Sequence, residues 1–435
     1  MDKIKIRGGK RLEGQIFISG AKNAALPLIC AGLLTDETVT LTNMPILSDI
    51  TAMNALLQQL GTRIDEFNDF IDGHATKTYS YRTQQATSLT APYDYVRKMR
   101  ASYYVLGPLL ARYGKVEVSL PGGCAIGARP MDIHLSALEQ MGAQIEIKNG
   151  YIMANILGRL KGCNITFHTA SVGATCNIMM AATLAEGTTV IANAAQEPEI
   201  VDLAELLVNM GAKISGAGTS TITIEGVEKL HGARHKVIAD RIEAGSYAVA
   251  AAITRGKIEL INAQAQTLKT PLQILRNCGV RIEEKENSIV VDALGCDIVG
   301  QDILTDYYPG FPTDLQAQFM ALMVTAKGAS MVTETIWENR FMHVPELMRM
   351  GANINVHGHA SAIVRGVEKL SGAPVMATDL RASFALVLAG LVAEGETTVN
   401  RVYHLDRGYE KLEEKLKGVG ADIERIKEAD ELAAE

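Results

Sequence analysis

The phrase MGAKI, residues 210–214, decides how this chain folds. It closes the series Leu203, Leu206, Leu207 and Met210, whose spacing of three and four predicts an amphipathic helix. Gly211 supplies the positive φ favoured just past a helix C-terminus, and Ile214 opens the strand that follows. The phrase recurs as LGTRI, MGAQI, CGVRI, MGANI and VGADI, with glycines at 61, 142, 279, 351 and 420. With Gly211 included, successive glycines lie 81, 69, 68, 72 and 69 residues apart. A period near seventy therefore runs through all 435 residues, with an insertion in the second unit.

Working outward from each phrase, a strand is followed by a turn and a second strand, as in STITIEGV and SAIVRGV. Upstream lies a different kind of helix, rich in Ala, Leu and Met on nearly every side: NAALPLICAGLL, ASYYVLGPLLARYG, CNIMMAATLAEG, SYAVAAAITRG, LQAQFMALMVTAKG and FALVLAGLVAEG. Helices apolar all round are buried, so these six belong inside and the amphipathic ones outside. The second strand of each unit pairs locally and no G-x-G-x-x-G follows a first strand, which argues against a doubly wound sheet. The six α/β units divide three and three, with a boundary near His231 to Asp240. A continuous ring of repeats is the alternative.

Length and composition agree with a multidomain globular chain: 435 residues exceed one compact core, and 47% hydrophobic with 21% charged residues is ordinary for such a protein. A formal charge of −7 argues against a surface that binds nucleic acid by neutralising phosphates. The start, MDKIKIRGGKRLEG, lacks the apolar region of a secretion signal, and the apolar stretches elsewhere are too short for a membrane span. A cytoplasmic enzyme or binding protein is expected, with no membrane or nucleic-acid partner. Cysteines at 30, 124, 163, 176, 278 and 296 form no C-x-x-C pair, and no H-E-x-x-H occurs. Reduced thiols are expected, and His134 and His343 read as packing or hydrogen-bonding residues rather than metal ligands.

Polar residues gather at the starts of the inner helices: Lys22 and Asn23, Arg100, Ser171 with Val172 and Gly173, Asp314, and Asp379 with Arg381. Helix N-termini carry free N–H groups and partial positive charge, so several converging with Lys and Arg would make a polyanion receptor. Capping is the plainer role for Asn23, Ser171 or Asp314 taken alone. Arg340 in ENRFMHVPEL and Arg407 in YHLDRGYEKL, each by itself, read as solvated or salt-bridged surface residues. The sharpest local signal is LPGGCAIGARPMD, residues 120–132, where three glycines surround Cys124 and Arg129 stands close enough in sequence to stabilise a thiolate or an anionic substrate. A lone loop cysteine is more often inert than catalytic.

The phrases SGAKNAALP, LPGGCAIGARP, SVGAT, EPEIVD, FPTDLQAQ, ENRFMHVPEL, ATDLRAS and YHLDRGYE, in this order along the chain, resemble the UDP-N-acetylglucosamine 1-carboxyvinyltransferase family, enolpyruvyl transferases of peptidoglycan synthesis. The resemblance implies a two-domain inside-out α/β barrel of six βαβαββ repeats, three per domain. One domain would be residues 22–238 and the other 1–21 plus 239–435, with the active site in the cleft between them. It implies phosphoenolpyruvate and UDP-N-acetylglucosamine as substrates and requires no metal or organic cofactor. Cys124 would be the general acid, able also to form a phosphothioketal adduct, and Asp314 the general base.

By the same resemblance, Lys22, Asn23, Arg129 and Arg407 would hold the phosphate end of phosphoenolpyruvate, with Arg340 and Arg381 around its carboxylate. Guanidinium forks suit both groups on so small a frame. Asn23, Arg100, Arg129, Pro130, Met131, Asp132, Ile133, Ser171, Val172, Gly173, Asp314 and Ile336 would hold the sugar nucleotide, with Asp379 nearby. One departure stands out: many relatives have Lys two residues before the SVG phrase, and this chain has Thr169, next to His168. The related 5-enolpyruvylshikimate-3-phosphate synthases share the architecture without the cysteine loop. A sliding clamp, also built from α/β repeats, needs basic ring-lining helices, and these inner helices are nearly uncharged.

Overall fold

The computed structural model describes residues 2–71, 73–97, 99–120, 131–358 and 360–427. These fall into two compact units, the first within residues 20–238 and the second made of residues up to Ser19 together with those from Ala239 onward. Each unit has its own apolar core. The fold is α/β. Among the described residues no helix is long and apolar enough to cross a membrane.

The inner helices are α1 (Lys22–Ala31), α2 (Leu106–Tyr113) and α3 (Val172–Ala182) in the first unit, and α4 (Arg241–Ile253), α5 (Gln316–Val324) and α6 (Leu380–Val392) in the second. Every residue of α4 and α5 is buried, as expected of helices with no polar face. Small side chains permit close neighbours. A Cβ on Gly245 of α4 would stand 2.5 Å from Leu315 Cδ1, so this glycine lets the short turn Thr313–Leu315 settle onto the helix. That turn carries Asp314.

All six phrase glycines adopt positive φ, from 95° at Gly351 to 102° at Gly61, and the isoleucine three residues on lies second in a strand each time. Among the described residues the strands form six four-stranded sheets of one plan, with one parallel pairing followed by two antiparallel ones. In the sheet of Asn164–Thr166, Thr188–Ala192, Thr221–Glu225 and Lys213–Ser215, the first pair is parallel and the others antiparallel. Alternate residues such as Ile222 and Ile224 point into the core, which sets the register, because a slip of one residue would turn both to solvent. Fully burying each such side chain stabilises the fold by about 1.5–3 kcal/mol.

Three sheets lie in each unit, and those of the second unit include the first two strands of the chain. Lys3–Arg7 pairs with Glu396–Asn400 and Asp422–Ile426, and Glu13–Phe17 pairs in parallel with Lys257–Ile261. Both strands lie far along the sequence from their partners, so no local pattern foretells the pairing.

Candidate active site

The second unit assembles an ion cluster from three separated segments. Asp314, in the turn before α5, accepts from Arg340 Nη2 at 2.8 Å through Oδ1 and from Arg381 Nη2 at 3.0 Å through Oδ2. Both guanidiniums are buried, with side-chain exposures of 6% for Arg340 and 5% for Arg381, against 27% for Asp314. Burial alone would push the carboxyl up. Arg381 and then Arg340 outweigh it, and the carboxyl is held well below the usual carboxylate range. Arg381 is correspondingly held above its ordinary value, burial being outweighed by Asp314.

Arg381 rests on a buried polar floor. Its guanidinium carbon lies 5.6 Å from the Tyr409 ring centroid, and the Tyr409 hydroxyl meets Ser246 Oγ at 2.9 Å and Gln318 Nε2 at 3.0 Å. Asp379 spends its carboxylate on α6 itself, accepting from the N–H groups of Arg381 at 2.8 Å and Ala382 at 3.0 Å. Arg407 ends the short helical turn Val402–Arg407, beside Asp406, which Arg425 grips with both Nη atoms.

In the first unit Lys22 begins α1 and pairs with Asp49 Oδ2 at 2.7 Å, both side chains being buried. Asn23 is the second residue of that helix, and the preceding position is Ala21, so the capping role expected of Asn23 is absent. Ser171 does cap α3, its Oγ accepting from Ala174 N at 3.2 Å, with Val172 and Gly173 in the first turn. A Cβ on Gly173 would meet Tyr103 Oη at 2.5 Å, so a glycine is needed there for packing alone. Arg100 opens the helical turn that leads into α2, and Met131, Asp132 and Ile133 begin the helix Asp132–Gln140. Cys124, Arg129 and Pro130 lie outside the described residues.

Two further single-residue expectations are corrected. Arg340 is not a surface arginine, because its side chain is buried and its fork is committed to Thr313 and Asp314. Asp314 does not cap α5, because its carboxylate turns to the arginines instead of the helix N–H groups. His134 and His343 pack as expected: burial lowers both to about 4, His134 Nδ1 meeting Asn177 Nδ2 at 3.1 Å and His343 Nε2 meeting Met320 Sδ at 3.2 Å. The five described cysteines are free thiols, and burial pushes Cys30 and Cys176 far up and Cys278 to about 12, which keeps them protonated and unreactive. Asp49, Tyr409, Gln318 and Arg425 were missed. Asp49 reads only as an acidic residue in the first turn of Ser48–Gln59, and nothing in its neighbourhood signals a distant lysine.

Residues 6–416 match the family described as EPSP synthase (3-phosphoshikimate 1-carboxyvinyltransferase). The UDP-N-acetylglucosamine 1-carboxyvinyltransferase of Paramagnetospirillum magneticum is 62% identical over 98% of this chain and 99% of its own length. That of Granulibacter bethesdensis is 60% identical over 98% of this chain and all of its own. Among solved structures, the enolpyruvyl transferase NikO from Streptomyces tendae superposes with a TM-score of 0.86 at 24% identity, covering 98% of both chains. EPSP synthase from Acinetobacter baumannii gives 0.74 at 20% identity, over 98% of this chain and 100% of its own. These two likenesses concern the fold. Identity along nearly the whole length with the named relatives goes further: the chain belongs to the UDP-N-acetylglucosamine 1-carboxyvinyltransferase family of enolpyruvyl transferases.

Proposed function

We infer that the chain transfers the enolpyruvyl group of phosphoenolpyruvate to the 3′-hydroxyl of UDP-N-acetylglucosamine, releasing phosphate, in peptidoglycan synthesis. The observation that carries this reading is the 62% identity to a named relative across both units of the chain. The finer architecture follows the family: two inside-out α/β barrels, each of three βαβαββ repeats, spanning 22–238 and 1–21 with 239–435. The six sheets of one plan support it. The enzyme is cytoplasmic and its partners are its small-molecule substrates, without nucleic acid or membrane, which the net charge of −7 favours.

Arg340 and Arg381 receive the donor's carboxylate, and Lys22, Asn23, Arg129 and Arg407 its phosphate. The sugar nucleotide is held by Asn23, Arg100, Arg129 to Ile133, Ser171 to Gly173, Asp314 and Ile336. Support comes from the matching motifs and from the buried guanidiniums of Arg340 and Arg381. Cys124 gives a proton to C3 of phosphoenolpyruvate while the sugar's oxygen bonds to C2 and Asp314 takes the hydroxyl proton. The Cys124 thiolate then takes a proton back from C3, which restores the double bond as the C2–O bond to phosphate breaks, and the phosphate leaves with the proton held by Asp314. A carboxylate gripped by two guanidiniums is a weak base, so the grip must loosen before it can accept a proton. The donor's carboxylate competes for those guanidiniums, and as they turn to it Asp314 regains ordinary basicity.

The test is chemical. Cys124→Ser should lower turnover by about 100-fold or more, the usual worth of a positioned acid. The epoxide fosfomycin, which alkylates this cysteine in the family, should add to Cys124 by peptide mass spectrometry. Full activity of the serine variant, or labelling at Cys30 instead, would overturn the assignment.

A further inference from the structure

Glu334 stands between two parts of the site without being assigned to either. It follows the strand Ala329–Thr333, is 3% exposed, and its carboxylate accepts four hydrogen bonds. Oε1 takes Thr305 Oγ1 at 3.0 Å and the backbone N–H groups of Ile336 at 2.9 Å and Trp337 at 3.2 Å. Oε2 takes the Thr313 hydroxyl at 2.8 Å. Thr313 Oγ1 in turn accepts from Arg340 Nη1 at 3.1 Å, while Nη2 of the same guanidinium holds Asp314.

We propose that Glu334 is a positioning residue serving both substrates, one oxygen fixing the backbone at Ile336 for the sugar nucleotide and the other orienting Arg340 through Thr313 for the donor's carboxylate. The inference rests on the substrate assignments above. A guanidinium on a flexible stem is useful as a fork only when its plane is fixed. Asp314 fixes one Nη and gives up that bond when the donor arrives. Thr313 fixes the other, and Glu334 determines where the Thr313 hydroxyl proton points, leaving its lone pairs to Arg340. The backbone N–H groups of Ile336 and Trp337, in a stretch with no regular structure, both donate to the other oxygen. A single carboxylate thus couples the two segments, and no pattern in TETIWENR announces it.

Three variants separate the two arms. Thr313→Val keeps the side chain's shape and removes only the hydroxyl, so KM for phosphoenolpyruvate should rise about tenfold and KM for the sugar nucleotide stay within about twofold. Glu334→Gln keeps a carbonyl oxygen for Ile336 and Trp337 but presents an amide donor to Thr313, so it should follow the Thr313→Val pattern more weakly. Glu334→Ala removes both arms and should raise both KM values about tenfold. Should the alanine variant fail to fold, the other two still decide. The proposal is overturned if Thr313→Val raises both KM values equally or neither, or if Glu334→Ala lowers Tm and leaves both KM values unchanged. A wild-type enzyme that does not turn over this substrate pair would instead remove the functional reading itself.

Discussion

The two units hold their buried cations in different ways. In the first, one ammonium, Lys22, meets one buried carboxylate, Asp49. In the second, two buried guanidiniums share the single carboxylate of Asp314, so that trio carries one net positive charge. A matched pair keeps a lysine extended and oriented without creating strong demand for another anion. An unmatched trio leaves a guanidinium surplus in a poorly solvated place, which an incoming carboxylate relieves. The same chemistry of Asp with cations therefore does two jobs: support in one unit and, on the proposed assignment of Arg340 and Arg381, a reserved anion subsite in the other.

Asp314→Asn breaks the trio and should have the largest effect. It replaces the proposed proton acceptor, which is also one of the proposed sugar-nucleotide contacts, so single-turnover rates should fall by about a thousandfold while affinity for the sugar nucleotide falls far less. It also leaves two buried like charges, so Tm should fall and phosphoenolpyruvate should restore more of it than in the wild type, read by thermal unfolding with and without the donor. The sign with pH follows from a depressed pKa. The trio's stabilisation is fully present above the unfolded-state value of about 4 and is lost as pH falls toward the lower folded value. Wild-type Tm should therefore drop between pH 5 and pH 3 by a component that Asp314→Asn lacks.

Asp49→Asn tests the matched pair and should cost about 3 kcal/mol in chemical denaturation, since it removes the carboxylate paired with a buried ammonium. Replacing both partners, Lys22→Met with Asp49→Leu, should recover most of that stability while activity stays lost. Equal stability of the single and double variants would show that the pair does not support Lys22. Arg381→Lys keeps the charge but not the fork, and should raise KM for phosphoenolpyruvate about tenfold to a hundredfold. Ser171→Ala, which touches neither cluster, should cost about 1 kcal/mol through the lost cap and serves as the baseline.

Much of this was legible in the sequence because it is written locally. Gly61 or Gly211 after an apolar-periodic helix specifies a helix end whatever the rest of the chain does, and all six phrases behave alike. Helices such as SYAVAAAITRG declare burial by composition. Long-range pairings are not written that way. Nothing near Lys3–Arg7 points to Glu396–Asn400, and Asp314 reads as a helix cap until Arg340 and Arg381 are brought to it. Glu334 and Asp49 escaped notice for a related reason, since an isolated carboxylate in a polar stretch looks solvated until its donors arrive.

The central claim, enolpyruvyl transfer to a sugar nucleotide, is tested most directly by phosphate release from phosphoenolpyruvate with alternative acceptors. UDP-N-acetylglucosamine should give one phosphate per enol ether formed, with both products seen by NMR, and shikimate 3-phosphate should give none. Release with shikimate 3-phosphate, or no release with UDP-N-acetylglucosamine, would contradict the account.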